Sequence, residues 1–338
     1  MNPSSTATPL LELRHIGVRF ERPPTLRSTA DWLLGRSQRA RPQPVRAVDD
    51  VSLQVHAGEI VGLVGESGCG KSTLGRVAVG LHRAHAGERL LRGERIDTLH
   101  RRDAVARQLK LQMVFQDPYA SLNPRLRVQD IVGEAAVTHG IVAGKDKADY
   151  VATLLDQVGL KPEMAQRFAH QFSGGQRARI GIARALAVKP DFIVCDEAVA
   201  ALDVSVQGQV LNLFADLRAA LGLSYLFVSH NLGVVHHIAD RVAVMYLGRI
   251  VESAPAAQLF ARPAHPYTMA LLAEAPTLKV KKKKFVAIQG EIPSPLSPPR
   301  GCHFHPRCPS AMPRCREEVP QPRDIAAGHG VACHLHDH

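Results

Sequence analysis

Long apolar runs are missing from this 338-residue chain. No stretch reaches the roughly 18 consecutive apolar residues that a membrane-spanning helix needs, so the sequence predicts no membrane span. The amino terminus, MNPSSTATPL, has no basic region followed by an apolar one, so it does not resemble a secretory signal. A cytosolic location is therefore expected, and structural disulfides among the six cysteines are disfavoured.

Aromatic side chains are also scarce, at 5% of residues, and the net charge of +11 is unevenly distributed. Seven arginines against two acidic residues give +5 at 19–46, and five lysines give another +5 at 279–284. A nucleic-acid-binding face needs basic residues spread over a folded surface, commonly with aromatics, so we expect no nucleic-acid partner. The two basic segments are typical of solvated linkers, or of contacts with an anionic membrane surface or a partner.

A glycine-rich loop lies between a predicted buried strand, EIVGLV at 59–64, and a stretch with helical spacing, LGRVAVGL. The loop, GESGCGKST, fits G-x-x-x-x-G-K-[ST] at Gly65, Gly70, Lys71 and Ser72. Glycines let backbone N–H groups approach phosphate oxygens, and the helix N-terminus adds its partial positive charge. In this pattern Lys71 reaches the β and γ phosphates and the Ser72 hydroxyl binds Mg2+. The sequence therefore predicts a nucleotide phosphate site.

Three later predicted strands end in polar residues. FIVC ends in Asp196 and Glu197, and a carboxylate at the carboxyl end of a parallel strand lies in the ligand crevice. Asp196 would orient Mg2+ and Glu197 would polarise the attacking water. The strand SYLFVS is followed by His230, which would hold phosphate and water, and QMVF is followed by Gln116, which would sense Mg2+.

The stretch HQFSGGQRARIGIARAL, at 170–186, has Ser173, Gly174 and Gly175 in front of a predicted helix. The N-terminus of that helix makes a second anion site in the same chain. One nucleotide does not need two such sites far apart in sequence. Two chains arranged head to tail would use both, with each nucleotide between the phosphate loop of one chain and SGGQ of the other.

Together these motifs resemble the nucleotide-binding subunit of an ATP-binding cassette (ABC) transporter, over roughly residues 10–300. The resemblance implies an α/β fold: a P-loop NTPase with a RecA-like core, an antiparallel β subdomain and an inserted α-helical subdomain at about 117–188. It also implies an ABC ATPase domain over 1–275, followed by a Pro-rich strap and a C-terminal Cys-containing tail over 276–338. ATP and Mg2+ are the implied ligands.

The resemblance assigns roles to single residues. The implied catalytic residues are Glu197, His230 and Lys71. The implied Mg2+ ligands are Ser72, Gln116 and Asp196. The implied ATP-binding residues are Phe20, which would stack on adenine, Gly65, Glu66, Ser67, Gly68, Cys69, Gly70, Lys71, Ser72, Thr73, Gln116, Ser173, Gly174, Gly175, Gln176 and Asp203.

Four further stretches resemble the oligopeptide and dipeptide importers in particular: FQDPYASLNPR (115–125), AALDVSVQ (200–207), HPYT (265–268) and GEIPSPLSPPRGCHFHPRC (290–308). The implied partners are transmembrane permease subunits, a second ATP-binding subunit, identical or not, and indirectly an extracytoplasmic solute-binding protein. The implied location is peripheral, on the cytoplasmic face of the cell membrane. Two alternatives stay open: the same motor for another small solute such as nickel, and a non-transport ABC ATPase acting on ribosomes or DNA.

Four of the six cysteines lie near the C-terminus, at Cys302, Cys308, Cys315 and Cys333, in the spacing C-x5-C-x6-C-x17-C. Four cysteines can close one metal site, either tetrahedral zinc or a [4Fe–4S] cluster. The spacing lacks the C-x2-C pair of most zinc ribbons, and the resemblance to the peptide importers implies that such a tail can carry a cluster. A [4Fe–4S] cluster, zinc and an unmetallated tail all remain open.

Overall fold

The computed structural model describes residues 8–21, 44–97, 101–274 and 290–337. The lysine run at 279–284, most of the basic segment at 19–46 and the predicted domain boundary at 275/276 lie outside these residues. The division into an ATPase domain and a tail therefore stays a prediction. Within the described ranges, none of the helices combines the length and apolar character needed to cross a membrane.

A small antiparallel sheet forms the predicted β subdomain. Its strands are β1 (Leu11–Phe20), β2 (Val45–Val55), β4 (Ala86–Leu91) and β5 (Glu94–Arg95), in the spatial order β2-β1-β4-β5. Buried and exposed residues alternate at the end of β2, which is the pattern of a strand with one face on the core.

The larger sheet holds the nucleotide-site strands. It contains β3 (Ile60–Val64), β6 (Leu111–Val114), β7 (Phe192–Asp196), β8 (Ser224–Ser229), β9 (Arg241–Tyr246), β10 (Arg249–Pro255), β11 (Arg323–Ala326) and β12 (His329–Val331). The spatial order is β11-β12-β10-β9-β3-β8-β7-β6. The five strands from β9 to β6 in this order are parallel, and β3, β7 and β8 are buried along their whole length. Buried parallel strands read as continuous apolar runs, which is why these three were recognisable in the sequence.

The described helices are α1 (Lys71–Ala78), α2 (Arg101–Leu109), α3 (Val128–Thr138), α4 (Lys147–Gln157), α5 (Gly174–Leu186), α6 (Val204–Leu221), α7 (Leu232–Ile238), α8 (Ala256–Ala261) and α9 (Pro266–Glu274). Helices α3, α4 and α5 share one apolar core through residues such as Val132, Val151 and Ala183, which are fully buried. They form the predicted inserted helical subdomain, which carries SGGQ at the start of α5.

The C-terminal tail, defined here as residues 290–337, extends the larger sheet. Strand β12 pairs antiparallel with β10 through Glu252 opposite Val331 and Ser253 opposite Gly330, and β11 completes the edge. The tail is therefore hydrogen-bonded to the same sheet whose strand β3 leads into the phosphate loop.

Candidate functional site

The phosphate loop, Gly65–Thr73, joins β3 to α1 and surrounds one ammonium group. Lys71 is 4% exposed, and its Nζ donates to the carbonyl oxygens of Gly65 at 2.8 Å and Glu66 at 2.9 Å. Gly70 has a φ of 107° and lies so close to β2 that a Cβ atom would stand 2.1 Å from the Ala47 carbonyl oxygen. Only glycine fits this backbone, which explains its place in the sequence pattern.

A pair of oxygen ligands stands at the start of α1. The Ser72 hydroxyl donates to Asp196 Oδ1 at 2.7 Å, and Asp196, at the end of β7, is 2% exposed. Burial raises the pKa of the Asp196 carboxyl, whereas the hydrogen bond from Ser72 opposes that shift. The pair fits a Mg2+ site, because this ion takes oxygen ligands and is usually held by one or two protein groups together with phosphate.

Glu197 is the centre of a second polar cluster. Its carboxylate accepts a hydrogen bond from Gln116 Nε2 at 2.7 Å and lies 3.2 Å from His230 Nδ1. Its backbone has a φ of 48°, in the left-handed region, and its N–H donates to the Val228 carbonyl at 3.0 Å. This bond to β8 compensates the strain of the left-handed backbone. The same backbone conformation directs the Glu197 carboxylate to the edge of the sheet. The structure thus brings together residues that follow three different strands.

A cavity of about 340 Å3 opens beside these groups. It is lined by Val45, Ala47, Ser67, Gly68, Gly70, Lys71, Ser72, Thr73, Gln116, Glu197 and Pro295. The sequence motifs did not point to Val45, Ala47 or Pro295. The tail residue Pro295 reaches the cavity because its carbonyl accepts a hydrogen bond from the Arg46 N–H at 3.2 Å. No local sequence pattern signals a contact across some 250 residues.

Phe20 ends β1 and is paired with Val45 of β2. Its ring stands edge-on to His82 with centroids 5.7 Å apart, and the residue is 40% exposed. It is not among the residues that line the cavity. Its role in stacking on adenine stays a prediction.

SGGQ begins helix α5 with a reciprocal cap. Ser173 Oγ accepts from the Gln176 N–H at 3.4 Å, and Gln176 Oε1 accepts from the Ser173 N–H at 3.1 Å. Gly175 is required by the neighbouring helix, because a Cβ atom there would lie 2.5 Å from Val206 Cγ1. Neither SGGQ nor Asp203, the N-cap of α6, lines the cavity of its own chain. Such separation is what the head-to-tail arrangement predicts.

The six cysteines are all free thiols in the described residues. Burial, together with the neighbouring Cys302, Cys308 and Cys315, raises the pKa of Cys333 to about 11, and the Cys302 N–H donates to the Cys315 carbonyl at 2.9 Å. Across the described ranges, no group of three or more His, Cys, Asp or Glu side chains is arranged to hold a single metal ion. The geometry of the described residues therefore supports neither zinc nor an iron–sulfur cluster at the four cysteines.

The fold and the site define a P-loop ATPase, and comparisons with known proteins narrow the class. The model of the family described as "ABC transporter" matches residues 48–200, and the model of the "Oligopeptide/dipeptide transporter, C-terminal region" matches residues 251–315. The probable peptide ABC transporter ATP-binding protein y4tS of Sinorhizobium fredii is 52% identical over 86% of this chain and 83% of its own length. The oligopeptide transport ATP-binding protein AppF of Bacillus subtilis is 48% identical over 86% and 90%. The chain belongs to the ATP-binding proteins of ABC transporters.

Solved structures agree on the fold. The cbiO1 protein from Clostridium perfringens, part of the ABC transporter complex cbiONQ, has a TM-score of 0.62 at 22% identity and covers 75% of this chain and 92% of its own. A dimeric ATP-binding cassette in a post-hydrolysis state, bound to ADP and Pi, has a TM-score of 0.61 at 23% identity, over 73% and 98%. The P-loop NTPase fold predicted from the sequence is confirmed.

Proposed function

We propose that this chain is the ATP-hydrolysing subunit of an importer for oligopeptides or dipeptides. One observation carries the proposal: a complete set of ATPase side chains stands in the same chain as a C-terminal region of the oligopeptide/dipeptide transporter type. Glu197 with its partners Gln116 and His230 lies beside the Ser72–Asp196 pair. The C-terminal region whose sequence type suggests peptides covers residues 251–315 and includes the first part of the tail.

In this proposal each cluster has its own task during hydrolysis. Lys71 Nζ, which rests on the carbonyls of Gly65 and Glu66, binds the terminal phosphates of ATP. Ser72 and Asp196 would hold Mg2+, and the bound ion would supply positive charge to offset that of the phosphates. Glu197 polarises the attacking water and takes its proton. His230, on the same carboxylate, orients that water towards the phosphate.

The same proposal includes the partners and the location. The chain works on the cytoplasmic face of the membrane with transmembrane permease subunits and, through them, with an extracytoplasmic solute-binding protein. A second ATP-binding subunit supplies SGGQ to the phosphate loop of this one. Neither Ser173 nor Asp203 lines the cavity of its own chain, which supports the need for that second subunit.

Reconstitution tests the importer function and its cargo. The chain is co-purified with its permeases, placed in lipid vesicles and assayed for phosphate release with a solute-binding protein that is loaded either with a dipeptide or with nickel. We expect severalfold stimulation by the peptide-loaded protein alone. Stimulation by the nickel-loaded protein and not by the peptide-loaded protein would contradict the proposal that the importer carries peptides. Recovery with ribosomes or DNA and without permeases would overturn the importer.

We further propose that the four tail cysteines hold an iron–sulfur cluster. Two observations support this proposal: the four thiols are free, and the Cys302 N–H donates to the Cys315 carbonyl at 2.9 Å while Cys302, Cys308 and Cys315 all act to raise the pKa of Cys333. A cluster of several iron atoms spans more space than one ion, so its ligands need not converge as zinc ligands do. Anaerobically purified protein is expected to contain iron and sulfide and to absorb near 400 nm. A colourless protein without iron would refute the cluster.

A further inference from the structure

We propose that Arg307 of the C-terminal tail is a positioning residue of the phosphate loop. Its guanidinium binds the Glu66 carboxylate, neutralises it, and so fixes the backbone on which Lys71 rests. The inference concerns ATP binding by this chain and does not depend on which solute the importer carries.

The contact between tail and loop is a bidentate ion pair. Arg307 Nη1 lies 2.7 Å from Glu66 Oε2, and Nη2 lies 2.9 Å from Oε1. The Arg307 side chain is 5% exposed and the Glu66 side chain 20%, so water screens the pair only weakly. The Arg307 Nε is buried and has no hydrogen-bond partner among the described residues. Recognition therefore rests mainly on the two terminal nitrogens, which match a carboxylate in geometry as well as in charge.

Glu66 is held from three sides. Arg307 binds its side chain, the Tyr267 hydroxyl accepts from its N–H at 2.8 Å, and its carbonyl accepts from Lys71 Nζ at 2.9 Å. A shift of Glu66 would thus move an acceptor of the lysine that binds phosphate. The tail and Lys71 are connected through one residue.

The tail also supports the loop at a second point. His303 Nδ1 makes a hydrogen bond of 3.1 Å with the Leu247 carbonyl oxygen, in the turn between β9 and β10. The next residue in that turn, Gly248, donates its N–H to the Cys69 carbonyl oxygen of the phosphate loop at 2.9 Å. Two points of the loop, Glu66 and Cys69, therefore contact groups that the tail binds.

Charge explains why the pair bears on nucleotide binding and not on folding alone. Glu66 places a carboxylate in a loop whose task is to bind a polyanion, and an unpaired carboxylate there would repel phosphate. Arg307 cancels that charge, and neither Glu66 nor Arg307 lines the cavity. Removal of Arg307 alone would leave a partly buried, unpaired charge, and this is costlier than removal of both partners.

The test is equilibrium binding of a fluorescent ATP analogue with Mg2+, and steady-state phosphate release, on the full-length chain. We expect Arg307→Gln to weaken nucleotide binding about tenfold and to raise KM by a similar factor. We expect kcat to stay within about twofold, because Glu197, Gln116 and His230 are untouched. The double variant with Glu66→Gln is expected to bind no worse than Arg307→Gln alone, since it removes the unpaired carboxylate.

Arg314→Gln is the matched control, because Arg314 also lies in the tail and pairs with Glu318 and Asp337, away from the phosphate loop. We expect it to bind nucleotide as the wild type does. The proposal is overturned if Arg307→Gln binds within twofold of the wild type, if the two substitutions act additively, or if Arg314→Gln causes an equal loss. Should Arg307→Gln fail to fold, Glu66→Gln alone decides: it removes the carboxylate from the loop side, and unchanged binding would contradict the proposal.

Discussion

The phosphate loop has two sides that differ in how the sequence encodes them. On the nucleotide side, the groups come from short motifs in which each polar residue directly follows a strand or opens a helix. On the tail side, the contacts join residues far apart: Glu66 and Arg307 are 241 positions apart, and Glu66 and Tyr267 are 201 apart. The residues of the nucleotide site are thus recognisable in short local motifs. The residues that hold the loop in place come from positions far apart in the sequence.

The two sides also differ in two carboxylate–imidazole contacts. On the nucleotide side, the His230 side chain, 3.2 Å from Glu197, is 53% exposed, as a site that admits substrate requires. On the tail side, the Glu252 and His329 side chains, joined at 2.8 Å, are 0% and 6% exposed. A buried carboxylate is tolerated only when it is hydrogen-bonded, so this second contact belongs to the scaffold.

The largest expected effect tests the nucleotide side. Glu197→Gln keeps the size of the side chain but removes the carboxylate that we propose accepts a proton from water. We expect phosphate release to fall by at least about 100-fold while ATP binding is retained. Both are measured on the purified chain. Glu134→Gln, an exposed glutamate on α3, is the control. Near-normal phosphate release from the Glu197 variant would contradict its role as the base.

A smaller effect is expected at the Mg2+ pair. Ser72→Ala removes both the oxygen that we propose binds Mg2+ and the hydrogen bond to Asp196, so Mg2+ should bind more weakly. We expect the Mg2+ concentration for half-maximal phosphate release to rise about tenfold, with activity partly restored at high Mg2+. Binding of ATP without Mg2+ provides the internal control, since it should change little. An unaltered Mg2+ requirement would show that Ser72 is not a ligand.

The same contrast explains what the sequence could and could not predict. Buried parallel strands such as β7 were recognisable as apolar runs, and Asp196 and Glu197 follow that strand directly, so their meeting with Lys71 at one sheet edge could be expected. The strands β11 and β12 were not expected, because they are short and polar at many positions, and because β12 pairs with β10 some 80 residues away while β11 pairs with β12. From the sequence, Arg307 could be recognised only as part of a cysteine-rich stretch, without a role of its own. Its partner could be found only when the fold brought the tail to the loop.

The smallest effect we predict lies at the base of the tail, where His265 precedes α9. Its N–H donates to Glu252 at 2.9 Å, and its Nδ1 accepts from the Tyr267 N–H at 3.0 Å. A ring nitrogen that accepts this bond cannot carry a proton. Burial lowers the pKa of His265 from 6.5 to about 4, Glu252 opposes the shift, and His336 adds to it. Tyr267 is also the residue that holds the Glu66 N–H, so His265 supports the tail side of the loop.

Because the folded protein disfavours the protonated ring, the stabilising contribution of His265 is present above pH 6.5 and is lost as the pH falls towards 4. This loss amounts to about 2 kcal/mol between pH 8 and pH 5. His265→Asn supplies an acceptor oxygen in place of Nδ1 and cannot be protonated. Its melting temperature should therefore fall less on acidification than that of the wild type, by roughly 3 °C. His139→Asn, on the surface after α3, should behave as the wild type does. If the His265 variant and the wild type lose the same number of degrees, neutral His265 is not what makes the tail side sensitive to acid.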